Sequence, residues 1–176
     1  LIDAISTRLA TGIKNTVSDH PASHAVLKFA IAVILNVSFI ILLTLVVSLF
    51  TGRTAEVGLI LISFALLRQV SGGMHLKSGT ACVLFTTLLF TLLSYVNVSN
   101  MYVEIMNVVS LTLVLWLAPI GIERQTRIPK RHWTKLKIIA AALIVSNIVL
   151  CSPVIAASFL AQSISLLISW RGVKSL

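Results

Sequence analysis

Charge is what this chain has least of. Lys, Arg, Asp and Glu make up 11% of its 176 residues, and only five of these are acidic. A water-soluble globule of that length needs far more charge to cover its surface, so that class is excluded. Aromatic residues are scarce at 7%. Apart from Trp133 none is interleaved with the basic residues, so the net charge of +9 is not read as a nucleic-acid footprint. Cysteine occurs only as Cys82 and Cys151, in different apolar segments. No Cys-x-x-Cys pair and no second histidine beside His75 completes a metal-ligand set, and no cofactor is implied. Residues 1–27 lack the basic stretch followed by an apolar run of a cleavable signal peptide. The apolar segments show no internal repeat.

What is present is hydrophobicity: 57% of residues are apolar and the mean hydropathy is +1.02. The charged residues avoid the long apolar runs, the pattern of an all-α, polytopic membrane helix bundle. Lys28 to Phe50 is the clearest span, broken only by Asn36, Ser38, Thr44 and Ser48. At about 1.5 Å per residue it crosses a hydrocarbon core of about 30 Å. Further transmembrane helices are expected over 55–70, 80–98 and 101–120, the last stopped by Pro119 and Gly121. The final block is divided by a turn at Ser152-Pro153 into spans at 134–151 and 154–170, about six crossings within a single membrane domain.

Counting Lys and Arg sets the orientation. The N-terminal segment, the Arg68/Lys77 connector, the 121–137 connector and the tail are basic, whereas the intervening links carry only Arg53. Both termini and the 68–82 segment are therefore expected on the cytoplasmic side. That places Cys82 and Cys151 toward opposite faces, against a disulfide between them. Residues 1–20 form a different element. Leu1, Ile2, Ile5, Leu9, Ile13 and Val17 recur at helical spacing, with Asp3, Arg8, Lys14 and Asn15 on the other side. The pattern suits an interfacial amphipathic helix on membrane lipid, or equally a cap helix packed on the bundle.

Chemistry concentrates in residues 68–82. Gly72-Gly73 breaks one helix, Ser78 or Thr80 can cap the next, and His75 and Cys82 lie seven positions apart between two apolar runs. A thiol attacks as thiolate, and an imidazole is the usual means of forming one. Residues 75–82 in one straight helix would hold the pair about 10 Å apart, so the segment must fold back for proton transfer over about 3 Å. Cys82 as an apolar filler and His75 as an interfacial anchor are the plainer alternatives. Arg68 can snorkel to headgroups or bind a carboxylate or oxyanion. Asn36, Asn97, Asn107 and Asn147 are read as interhelical hydrogen-bond partners, and His20, His24 and His132 as interfacial.

The order Arg68, Gly72-Gly73-x-His75, six residues, Cys82 resembles that of the accessory gene regulator B (AgrB) proteins of Gram-positive bacteria. Chain size, apolar segments and the basic Pro129-Lys130-Arg131 connector agree with it from about residue 20 onward. The resemblance implies a cysteine endopeptidase of the bacterial cell membrane that matures an AgrD-type quorum-sensing propeptide. Cys82 would be nucleophile and His75 base, with Arg68, Gly72 and Gly73 in support and Lys130 and Arg131 holding the precursor's acidic tail. A thioester acyl-enzyme would pass to the precursor's own cysteine and close a thiolactone ring. The resemblance alone implies a homodimer. Two other readings compete: a small peptide exporter, and a non-enzymatic scaffold that binds acidic partners.

Overall fold

A computed structural model describes residues 1–19, 21–73, 78–121 and 129–174, with side chains as far as residue 170. Its elements are helices: α1 (Ile2–Thr16), α2 (His24–Thr51), α3 (Thr54–Ser71), α4 (Gly79–Leu93), α5 (Asn100–Leu117), α6 (Trp133–Leu150) and α7 (Pro153–Lys174). A 3-10 turn at Lys130–His132 leads into α6. Five helices, α2, α3, α5, α6 and α7, are long and apolar enough to cross a membrane. The protein is a polytopic helical membrane protein. With no water to satisfy backbone amides in hydrocarbon, a helix closes its own hydrogen bonds, so apolar runs of this length fold this way.

The helix ends follow from particular residues. Gly52, at φ +68°, turns the chain between α2 and α3. α4 has 15 residues and stops at Leu93, short of the expected Val98. It is thus about 22 Å long. The Asn97-Val98-Ser99 stretch that follows favours side-chain-to-backbone bonding over helix. α5 stops at Leu117 rather than the expected Ile120, because Ala118 precedes a proline and is driven to extended geometry, ψ 149°. Between α6 and α7 Cys151 takes a left-handed φ of 51°. There Asn147 accepts from the Ser152 amide and donates to the Ser152 carbonyl, 3.2 and 3.1 Å.

The helices form two compact units. The first holds α1, α2 and α4 as far as Leu89. α1 packs antiparallel on the start of α2, with Asp3 paired to Lys28 at 2.9 Å and Thr11 hydrogen-bonded to His24 at 3.1 Å. Its buried positions are Ile2, Ser6 and Ala10, while Leu1, Leu9, Ile13 and Val17 stay exposed. One edge of α1 is thus buried, while most of its apolar stripe stays uncovered. α2 and α4 run parallel and meet through polar side chains, with Thr44 Oγ1 donating to Thr87 Oγ1 at 3.3 Å.

The second unit comprises α3, α5, α6, α7 and the chain from Phe90 to Ser99. Its core contains Leu67, Val114, Leu117, Ala140, Ile144, Phe159 and Leu166. Among lipid-like surroundings such packing needs small residues and hydrogen bonds as glue, each bond adding about 1 kcal/mol. α7 supplies both: Ala156, Ala157, Ser158 and Ser163 are buried along it. Ser63 donates to Ser158 at 2.9 Å, and Asn147 Nδ2 to Asn107 Oδ1 at 3.2 Å. Asn107 and Asn147 thus join α5 to α6 as expected, whereas Asn97 is exposed beyond the end of α4.

Candidate active site

Cys82 is the fourth residue of α4. Ser78 is the capping residue, its Oγ accepting from the Ala81 amide at 3.4 Å and its carbonyl from the Cys82 amide at 3.0 Å. α4 begins at Gly79, so Ser78 lies outside the helix. Cys82 Sγ is half-buried as a free thiol. Asn36 on α2 donates to it through Nδ2 at 3.6 Å, and Thr86 Oγ1 lies 4.0 Å away. Asn36 Oδ1 is buried with no partner among the described residues. An unpaired amide oxygen of that kind costs about 1–3 kcal/mol. His75 lies outside the described residues, as does His20.

The other motif residues sit in the second unit, around the end of α3. Gly72 has φ +77° and its amide bonds the Arg68 carbonyl at 2.9 Å, closing the helix. Gly73 follows at φ +132°. Its amide donates to the Ile120 carbonyl, and the Ile120 amide to the Ser71 carbonyl, both at 3.1 Å. The segment freed by Pro119 is therefore used to pin the glycine pair as a short parallel bridge.

Gln162 on α7 is the hub of this cradle and is fully buried. Its Nε2 donates to the Gly72 carbonyl at 2.6 Å and to Ser71 Oγ at 3.1 Å. Its Oε1 accepts from Arg68 at 3.4 Å and from Ser165 Oγ at 3.1 Å. All four hydrogen-bonding positions of the amide are filled. Arg68 is thus half-buried and engaged with Gln162, its guanidinium also 5.9 Å from the centre of the Phe64 ring. Gly73 has no room for a side chain: a Cβ there would lie 2.8 Å from Ser165 Oγ and 3.2 Å from Gln162 Nε2.

Lys130 and Arg131 are exposed in the turn before α6, Lys130 Nζ 5.7 Å over the Trp133 ring and Arg131 Nε hydrogen-bonded to His132 at 3.1 Å. The ends of α3, α5 and α7 and the start of α6 gather at one end of the second unit, tied by Gly73 to Ile120 and by Lys137 to the Leu115 carbonyl at 2.9 Å. At the other end Arg53 is held by Glu56 at 3.0 Å and lies 5.1 Å over Tyr95.

Gln162, Ser71 and Ser165 escaped the sequence reading, and Asn36 entered it only as an interhelical partner. A signal existed for Gln162, a side-chain amide inside an apolar span being costly and by default functional. The serines carried none.

Two comparisons relate the chain to known proteins. The family model described as accessory gene regulator B matches residues 6–174. A protein described as AgrB-like, from Halalkalibacterium halodurans, is 31% identical over 151 residues, which is 85% of this chain and 77% of that relative. No solved structure matches the chain.

Proposed function

The chain belongs to the accessory gene regulator B family, and so to the accessory gene regulator quorum-sensing system; from that premise we propose that it is a membrane-embedded cysteine endopeptidase acting on an AgrD-type propeptide. The observation that carries this reading is the setting of Cys82, a half-buried free thiol on the first turns of an apolar helix, contacted by an amide. Seven positions before it in the chain stands the histidine of the motif.

In the proposed reaction Cys82 passes its proton to His75 and its sulfur attacks the carbonyl carbon before the precursor's acidic tail. The carbonyl electron pair moves to oxygen. On its return the C–N bond breaks, and the imidazolium protonates the departing amine. The thioester left on Cys82 is then attacked by the precursor's own thiol. One C–S bond forms as another breaks, Cys82 regains a proton, and a thiolactone closes. Thioester exchange is nearly balanced in energy, so the ring closes without ATP provided the tail product is removed and water is kept from the acyl-enzyme.

Basic residues cluster at the α3, α5, α7 and pre-α6 end of the second unit, and we place that end in the cytoplasm. We also place the uncovered apolar stripe of α1 in the lipid interface. We take the working form to be a homodimer.

A precursor whose central cysteine is replaced by alanine keeps the scissile bond and loses the thiol that would discharge the acyl-enzyme. Mixed with the protein in vesicles, it is expected to accumulate a hydroxylamine-sensitive adduct on Cys82, seen as a mass increase equal to the precursor without its tail, less one water. Tail release with no such adduct would favour direct attack by water and remove the thioester. Lys130→Gln with Arg131→Gln is expected to weaken precursor binding several-fold at low salt, because exposed ion pairs contribute about 0.2–1 kcal/mol each. In about 0.5 M salt the difference should shrink, as the Debye length falls to a few ångströms. A loss independent of salt would assign the two residues to packing.

A further inference from the structure

We propose that Asn36 is a catalytic residue, its side-chain amide forming the donor of an oxyanion hole for acyl transfer at Cys82. The inference rests on the peptidase reading above and names a residue that reading leaves without a role.

A carbonyl attacked by Cys82 places its developing oxygen anion on the carbon bonded to the sulfur, so the anion needs a donor on the sulfur's flank. In many acyl-transfer sites the nucleophile's own backbone amide serves. Here that amide is taken, since the Cys82 N–H is already bonded to the Ser78 carbonyl at 3.0 Å. The hydrogen-bonding partners of Sγ among the described residues are Asn36 Nδ2 at 3.6 Å and Thr86 Oγ1 at 4.0 Å. A donor that far from the sulfur can come within about 3 Å of an oxygen carried on the attacked carbon, the distance an oxyanion donor requires. Thr86 follows Cys82 by one helical turn on α4 itself, whereas Asn36 approaches from α2. In the resting state the amide donates to the thiol; as the tetrahedral intermediate forms, the same N–H turns to the oxygen.

The remainder of Asn36 points the same way. Its Oδ1 is buried and unpartnered among the described residues, on a helix otherwise fit to cross a membrane. A residue there only to join helices gains nothing from an orphaned oxygen, as Thr44 and Thr87 show by pairing hydroxyl to hydroxyl two turns further along α2. Polar groups held in such spans at a cost are by default functional.

The test compares two reactions of the same sulfur in the full-length protein in vesicles. Acylation by the precursor builds an oxyanion; alkylation by iodoacetamide does not. Asn36→Ala is expected to slow acylation roughly 100-fold or more, the usual effect of losing one oxyanion donor, and to change the alkylation rate of Cys82 by less than about tenfold. Asn36→Asp keeps the shape and the acceptor but not the donors, and is expected to lose acylation likewise. Asn36→Leu, an apolar near-isostere suited to a membrane helix, repeats the comparison where the alanine protein fails to accumulate. Acylation at the wild-type rate in these variants, or acylation and alkylation falling together, overturns the assignment. Cys82→Ala run in parallel separates the two levels. If it still cleaves, the peptidase reading itself fails; if it is dead while the Asn36 variants acylate normally, only the role of Asn36 falls.

Discussion

Cys82→Ala is expected to reduce cleavage of an acidic-tailed precursor to background, a loss of at least about 10³-fold, because the sulfur that carries the acyl chain is gone. Cys151→Ala is expected to leave the rate nearly unchanged. Cys151 is exposed in the α6–α7 turn, where its Sγ bonds the Ile148 carbonyl at 3.2 Å. Tail release followed by mass spectrometry, with membrane content measured by immunoblot, separates lost chemistry from lost protein. The alanine at 82 removes a half-buried sulfur and the long hydrogen bond it accepts from α2, so the helices should still assemble. His75→Ala is expected to slow acylation severely through loss of the base. Equal losses for Cys82→Ala and Cys151→Ala would point instead to a structural or disulfide role. Undiminished cleavage by Cys82→Ala would end the cysteine-peptidase reading.

Gly73→Ala should have the next largest effect. A methyl group there meets Ser165 Oγ at 2.8 Å on a backbone with φ +132°, where L side chains are strained. Strain and overpacking together amount to roughly 2–6 kcal/mol. The cradle cannot absorb this by moving Gln162, whose four hydrogen bonds already hold Ser71, Gly72, Arg68 and Ser165. Gln162→Leu is expected to act on the same assembly, since it leaves the Gly72 carbonyl buried without its donor at about 1–3 kcal/mol. Gly12→Ala is the control: nothing lies within 4 Å of a Cβ there, on an exposed face of α1. It should stabilise its helix slightly, by about 0.5–1 kcal/mol. Unfolding in detergent micelles, read alongside cleavage, decides. A Gly73→Ala protein that melts and cleaves like its parent would mean the turn does not hold the glycine as described.

The glycine pair shows how far the sequence could be read. Two adjacent glycines at the end of an apolar run announce a helix break, because glycine alone adopts positive φ without strain. Nothing in the run announces the partner that makes the break rigid. Ile120 lies some fifty residues away and becomes available only because Ala118, constrained by Pro119, leaves the α5 helix early. Gln162 is more distant still. Its polarity was visible, but which helix it would face depends on how α7 rotates about its axis, and an apolar helix in lipid has little amphipathic asymmetry to fix that rotation.

The same division runs through the candidate site. The chemistry of Cys82 and His75 could be read from residue type and spacing, and Ser78 as a cap from its place before an apolar run. The amide against the sulfur could not, since Asn36 and Cys82 meet only because two parallel helices share a polar stripe. The early end of α4 was hidden by hydropathy, which scores Ser94 to Val98 as continuing the run although Asn and Ser there compete for the backbone.

By itself the sequence determined that the protein is a helical membrane bundle, roughly where its helices begin and end, and to which family it belongs. These follow from local quantities: run length, charge placement and a short motif. Only the tertiary structure decided what surrounds the thiol and what locks the glycine turn. Hydrogen bonds between helices depend on rotation and register, and those emerge when the helices pack.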